Sequence, residues 1–123
     1  MRFGRDRRVR RRADFVRIQK TGRAVRTRHF VLLVAVREER GPSRLGIVAA
    51  RTVGNAVARN RVKRLCRESF RLAPELLPAG VDLVVIAKPG AADLGLRDVQ
   101  AEWSGVAPRL AAECKKVLQP RPE

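Results

Sequence analysis

Six of the thirteen residues from Arg59 to Arg71, RNRVKRLCRESFR, are arginine or lysine. The chemistry such side chains do best is to hold phosphate, because the planar guanidinium fork pairs with two oxygens at once. Between the cations stand Val62, Leu65, Cys66 and Phe70, at the spacing of one helical face. On a helix of about 3.6 residues per turn, Ala58, Val62, Leu65, Cys66, Ser69, Phe70 and Ala73 gather on one side. Asn60, Lys63, Arg64, Arg67 and Arg71 gather on the other, and Arg59 and Arg61 mark the borders. Glu68 is the only carboxylate in the stretch. Unmatched cations three and four residues apart cost an isolated helix a few tenths of a kcal/mol per pair, so a merely solvated face would be expected to mix its signs. Asn60 is a poor mid-helix residue, and its amide is expected to have a hydrogen-bonding task. The pattern predicts a helix with an apolar inside and a polyanion-facing outside.

Other chemistries find little support. A protein ribonuclease wants paired acid and base groups, whereas His29 is the single histidine and has no obvious sequence partner; at a strand start its role reads as structural. The carboxylates are scattered, and Glu38-Glu39 fall in a turn, which disfavours a metal-dependent nuclease. Cys66 and Cys114 form no Cys-x-x-Cys pair, so zinc is disfavoured and both read as buried thiols in a reducing compartment. No Walker or dinucleotide-binding glycine pattern appears. Trp103, at an apolar helical spacing, reads as core. No catalytic residue and no metal ligand is assigned.

The net charge of +16 is unevenly placed. Residues 1–28 carry twelve basic and two acidic side chains, and residues 51–71 carry seven and one, while the stretches 29–50 and 72–123 are nearly neutral. Two basic blocks point to a polyanion partner. A membrane surface would need the apolar helix face free, yet flanking strands should claim it. A helix-turn-helix needs two consecutive helices, and this one sits between strands. RNA fits best, although charge alone does not separate it from DNA. No secretory signal is visible, and the apolar run Phe30 to Val36 is too short to span a bilayer, so a soluble, cytoplasmic protein is expected.

The 123 residues suit one domain. Residues 1–12 read as a basic arm, 13–118 as the folded RNA-binding domain and 119–123 as a frayed tail. Ala13 to Lys20 predicts a short helix stopped at Gly22. Arg23 to Arg28 predicts a short leading strand, and His29 to Val36 and Arg44 to Ala50 predict two strands joined as a hairpin through EERGPS. Asn55 is an N-cap candidate for the basic helix, which should run to Leu72 before Pro74. Val81 to Ala87, VDLVVIA, is apolar almost throughout, as for a strand inside the sheet. Leu96 to Leu118 is helical with a break near 105–108. The order α-β-β-β-α-β-α predicts an α+β fold, a two-layer sandwich on about four strands.

Gly54-Asn55-Ala56-Val57, Arg59-Asn60-Arg61-Val62-Lys63-Arg64 and Arg67-Glu68-Ser69-Phe70-Arg71 together resemble the signature of the bacterial ribonuclease P protein subunit. Asp14-Phe15, Arg28-His29-Phe30-Val31-Leu32-Leu33, Arg44-Leu45-Gly46-Ile47-Val48 and Asp82 to Lys88 follow in that family's order. The likeness spans about residues 8–118. It implies an accessory subunit of an endoribonuclease whose catalytic centre is RNA with Mg²⁺ bound by RNA and substrate. The reaction is removal of the 5′ leader from precursor tRNA, and the protein alone is inactive. It also implies that the basic helix lies in a left-handed β-α-β crossover. Arg51, Arg59, Asn60, Arg61, Lys63, Arg64, Arg67 and Arg71 would then meet the catalytic RNA. A cleft between the first helix and the sheet would hold the single-stranded leader through Arg12, Phe15, Gln19 and Leu33. Phe15 would stack on a base, with plain core packing as its competing role. Gln19 and Leu33 stand where many relatives have aromatics, which shifts the expected weight toward charge. The expected partners are the catalytic RNA and precursor tRNA, with no membrane and no small-molecule substrate. A ribosomal or ribosome-assembly RNA-binding protein is the alternative reading.

Overall fold

The computed structural model describes residues 7–39 and 41–119. The elements are α1 (Arg12–Thr21), β1 (Arg23–Arg26), β2 (Phe30–Val36), β3 (Arg44–Val48), α2 (Ala56–Arg71), β4 (Val81–Ala87), α3 (Leu96–Gly105) and α4 (Ala107–Leu118). Single 3-10 turns at Arg51–Val53 and Ala91–Asp93 precede α2 and α3. The expected order is present, and the break in the last helical stretch falls at Val106, with Pro108 in the first turn of α4.

The strands form one mixed sheet in the order β1-β2-β4-β3. β1 and β2 are antiparallel, β2 and β4 are antiparallel, and β3 and β4 are parallel. The expected hairpin between β2 and β3 is therefore corrected: β4 inserts between them. The Gly41-Pro42 turn reads locally like a hairpin, but the more continuous apolar strand claims the centre. Six of the seven β4 residues are buried, and a strand covered on both faces gains most from the middle of a sheet.

Helices cover both sheet faces. α2, α3 and α4 close one side over Val25, Phe30, Leu32, Val34, Leu45, Leu83 and Val85, adding Val62, Cys66, Phe70, Trp103, Leu110 and Cys114 to that core. Phe30 and Trp103 meet edge to face with centroids 6.0 Å apart, an arrangement the ring quadrupoles favour. On the other side α1 sets Ile18 and Phe15 against Leu33, Ala35 and Val84. α1 thus adds a third, partial layer to the two expected.

The last part of the basic arm is packed. Val9 is buried, its N–H donates to the Leu45 carbonyl at 3.0 Å, and Arg8 bridges Leu45 in parallel. The Arg7 guanidinium lies 5.5 Å above the Phe70 ring and donates to the Ser43 carbonyl. Residues 1–6 of the arm and 120–123 of the tail lie outside the described residues.

Candidate nucleic-acid interface

The Asn55 side chain caps α2, its Oδ1 accepting from the Ala58 N–H at 2.9 Å. Gly54 precedes it with φ 151°, and a Cβ there would stand 2.8 Å from the Ala58 Cβ. Glycine is what lets the chain turn from β3 into the helix at this angle. The apolar face then locks as expected: Val62, Cys66, Ser69 and Phe70 are buried against the sheet and α3. Burial pushes the Cys66 thiol up to about 12, and it drives Cys114 up to about 11. Both behave as small core hydrophobes.

The outward face divides into three kinds of residue. Asn60 and Arg64 are exposed, Arg59, Lys63 and Arg67 are half-buried, and among the described residues no carboxylate pairs with any of these cations. The Asn60 side chain has no hydrogen-bond partner among the described residues, so its amide stays available. Arg67 is held below its ordinary pKa by partial burial and then by the nearby Arg8 cation. Like charges held together in this way are unfavourable in the free protein and are relieved by an arriving anion. Arg71 differs, being ion-paired with Glu68 one turn back. Arg61 differs too. Its Nη2 donates to the Leu94 carbonyl at 2.7 Å and its Nε to the Ala92 carbonyl at 3.2 Å, so it ties α2 to the turn after β4. Arg51 is exposed in the 3-10 turn after β3. Phosphate groups would therefore meet Arg51, Arg59, Lys63, Arg64 and Arg67 with the fewest internal competitors.

The second region lies beside α1. This helix crosses the strands: Phe15 lies over Gly46 of β3, and Gly22 reaches Leu33 of β2. Ile18 points into the sheet and is fully buried. Arg12, Phe15 and Gln19, spaced three and four apart, share one flank. Asp14 and Arg17 share the other, where they meet charge. Asp82 of β4, fully buried, accepts from Arg44 Nε and Nη2 at 2.7 Å each and from Arg17 Nη2 at 2.9 Å. The bond to Asp82 raises the Arg44 pKa. Arg17 also donates to the Val36 carbonyl. Beyond this network Arg8, Arg10, Arg11, Arg37 and Arg44 surround a cavity of about 160 Å³ together with Asp14, Glu38 and Glu39. Arg17 and Arg44 of that flank are answered by carboxylates from within the chain.

The Arg12–Phe15–Gln19 flank faces the part of the sheet that α1 leaves open. Val31, Ile86 and Val48 are register neighbours across β2, β4 and β3, all half-buried. They form the floor of a groove whose wall is α1. Phe15 is half-buried, and Arg12 and Gln19 are exposed. Leu33 lies one row further in, 7% exposed beneath α1. Of the four candidate leader residues, three line the groove and Leu33 supports it from below.

His29 has the partner its sequence context did not reveal. Its Nδ1 lies 2.6 Å from Glu102 Oε1, and its backbone N–H and the Thr27 hydroxyl donate to Glu102 Oε2. Burial raises the Glu102 pKa, but the hydrogen bonds from His29 and Thr27 together outweigh it and hold the carboxyl below its usual value. The cluster staples the β1–β2 turn to α3. Asp82 and Glu102 were both missed as organising residues. A lone acid inside an apolar strand, as in VDLVVIA, was the available signal for Asp82; nothing local marked Glu102.

Among the described residues no group of three His, Cys, Asp or Glu side chains could hold a metal ion. No helix there is long and apolar enough to cross a membrane.

The ribonuclease P family model matches residues 3–111. The ribonuclease P protein component of Desulfovibrio desulfuricans is 43% identical over 107 residues, covering 85% of this chain and 82% of its own. That of Shouchella clausii is 36% identical over 115 residues, covering 94% and 90%. The solved RNase P protein of Staphylococcus aureus superposes with a TM-score of 0.74 at 35% identity, covering 84% of this chain and 94% of its own. That of Thermotoga maritima gives 0.72 at 34%, covering 83% and 96%.

Proposed function

The chain belongs to the ribonuclease P protein family, and from that premise we propose that it docks the catalytic RNA on α2 and threads the 5′ leader of precursor tRNA along the groove beside α1. As a family member it is a subunit of the RNase P endonuclease holoenzyme and acts in tRNA processing within a ribonucleoprotein.

The observation that carries the docking role is the outward face of α2. Arg59, Lys63, Arg64 and Arg67 have no carboxylate partner among the described residues, whereas Asp14, Glu38 and Asp82 pair with Arg17 and Arg44 beside α1. Phosphate oxygens supply what the chain withholds, and released counterions make the binding strongly salt-dependent. Arg61 and Arg71 contribute charge from positions already engaged within the protein.

The groove suits a single strand because it combines one aromatic edge, an apolar floor and cations at its margin. Unpaired nucleotides can lay bases against Phe15, Val31 and Ile86 and leave their phosphates toward Arg12. The protein discriminates precursor from mature tRNA because only the precursor has a strand to place there. Chemistry belongs to the RNA. Mg²⁺ is held by RNA and substrate phosphates, as this ion prefers when phosphate is plentiful. The protein's part is to neutralise backbone charge, so the RNA folds and binds with less added Mg²⁺.

The test is reconstitution. The protein alone should cleave nothing. Added to the catalytic RNA, it should lower the Mg²⁺ needed for cleavage and tighten precursor binding over mature tRNA. Equal affinity for precursor and mature tRNA, with and without the protein, would remove the leader role. An unchanged Mg²⁺ requirement would remove the charge-neutralising one.

A further inference from the structure

Resting on the leader reading above, we propose that Arg26 is the outer end of the leader groove, contacting leader phosphates far from the cleavage site. The strand register carries this. Arg26 of β1 pairs with Val31 of β2, Val31 with Ile86 of β4, and Ile86 with Val48 of β3. Residues directly opposite one another project to the same sheet face. Val31, Ile86 and Val48 all pack on the α1 side, so Arg26 stands on that side too. Its neighbour Val25 is buried in the opposite core, as strand alternation requires. The floor of the groove thus reads Val48, Ile86, Val31, Arg26, and the three strand spacings it crosses span about 14 Å.

The wall runs in the same direction. α1 begins over β3, where Phe15 covers Gly46, and ends over β2, where Gly22 meets Leu33. Arg12 therefore marks the β3 end of the trough and Arg26 the β1 end. The ends are not equivalent. β3 runs out at Val48, and the turn bearing Arg51 and then the cationic helix follow at once. The β3 end adjoins the surface assigned to the catalytic RNA, so the scissile bond belongs there. The leader then recedes across β4 and β2 and leaves the protein over β1, an edge strand.

Arg26 is exposed and has no hydrogen-bond or ion-pair partner among the described residues. Two nearby cations are committed otherwise. Arg23 pairs with Glu113 on the α4 side. Lys88, one row beyond Ile86, donates its Nζ to the Thr27 carbonyl at 2.7 Å. Arg28 is exposed and unpaired among the described residues as well, but it lies in the β1–β2 turn beyond the paired rows; Arg26 is the unpaired cation on the floor row itself.

The experiment uses the reconstituted holoenzyme and a series of precursor tRNAs whose leaders grow one nucleotide at a time. Affinity is measured for the native protein, Arg26→Ala and Arg26→Glu, with Phe15→Ala and Arg12→Ala in parallel and thermal melts of each protein as the folding control. Arg26→Ala should match the native protein on mature tRNA and on short leaders. Beyond a threshold length it should bind about 3- to 10-fold more weakly, and Arg26→Glu more weakly still. The Arg12 and Phe15 variants should lose affinity at shorter leaders. A loss for Arg26→Ala that is the same at every length, mature tRNA included, overturns the assignment. So does no loss at any length while Arg12→Ala and Phe15→Ala remain leader-dependent; in that case the leader reading stands and only its exit over β1 is wrong. If none of the three variants responds to the leader, both ideas fall together.

Discussion

The Phe15 ring occupies the space a side chain on Gly46 would need: a Cβ built on Gly46 falls 2.8 Å from the ring's Cε1 and Cζ and 3.0 Å from the Val9 Cβ. The groove's one aromatic among the described residues is therefore seated by an absence on β3. Gly46→Ala should push the ring off its site. We expect a loss of about 1–3 kcal/mol of stability, the usual cost of overpacking, read by urea denaturation. Precursor-over-mature discrimination should fall as well, while affinity for the catalytic RNA, measured separately, holds.

Replacing Arg64 and Arg67 together with Ala should leave the fold intact. Neither side chain has a carboxylate partner among the described residues, and Arg67 sits beside another cation. Affinity for the catalytic RNA should drop, and the slope of log K against log salt should flatten by roughly 1.8, about 0.9 for each phosphate no longer neutralised. Binding isotherms across a salt series give the slope. A protein that no longer melts cooperatively would mean that these residues hold the fold.

Arg61 should behave unlike its neighbours. Arg61→Ala removes the two bonds to the Ala92 and Leu94 carbonyls, and should cost about 1 kcal/mol. Hydrogen exchange should quicken at the Ala91–Asp93 turn. Arg61→Lys keeps the charge without the fork and should recover RNA affinity better than it recovers the protected turn.

Asp82→Ala leaves the half-buried Arg17 and Arg44 facing each other with only their longer contacts to Asp14 and Glu38. The loss should reach about 3–5 kcal/mol, as when one partner of a buried pair is removed. Arg44→Met should be milder, because Arg17 still reaches Asp82. Denaturant midpoints for the two variants and the double variant would show the coupling.

Glu102 gives up its proton more readily in the folded protein than in the unfolded chain. Its contribution is thus fully present above the ordinary glutamate pKa, about 4.3, and fades as the pH falls through the lower folded value, because the unfolded state then binds the extra proton. Glu102→Gln should destabilise the protein at neutral pH and make its melting temperature less sensitive to acid below that range.

The sequence carried the elements further than their assembly. Periodicity located α2 and its inner face, since a 16-residue amphipathic helix writes its packing into local spacing. The unbroken apolar run of β4 announced an interior strand. What it could not announce was which strands would flank it, because pairing is a non-local choice and the Gly41-Pro42 turn argued for a neighbour that lost the competition. The interface was half legible for a similar reason. Residue type marks Arg61 and Arg64 alike, yet only the position of the turn after β4 shows that Arg61 is already engaged. Gln19 and Arg12 could be placed on the helix by counting. Arg26 needed the register of three strands before it could be placed at all.

One of the two interior strands, β4, is also the last strand made. A ribosome that has released the chain as far as Leu72 has delivered the whole cationic helix and three of the four strands, but β2 and β3 still lack the element that joins them. During synthesis the RNA-gripping helix therefore emerges before there is a sheet to shelter its greasy side. Folding of the nascent polypeptide waits for residues 81–87, and a message truncated upstream of that point yields basic, unclosed fragments in place of a smaller working protein.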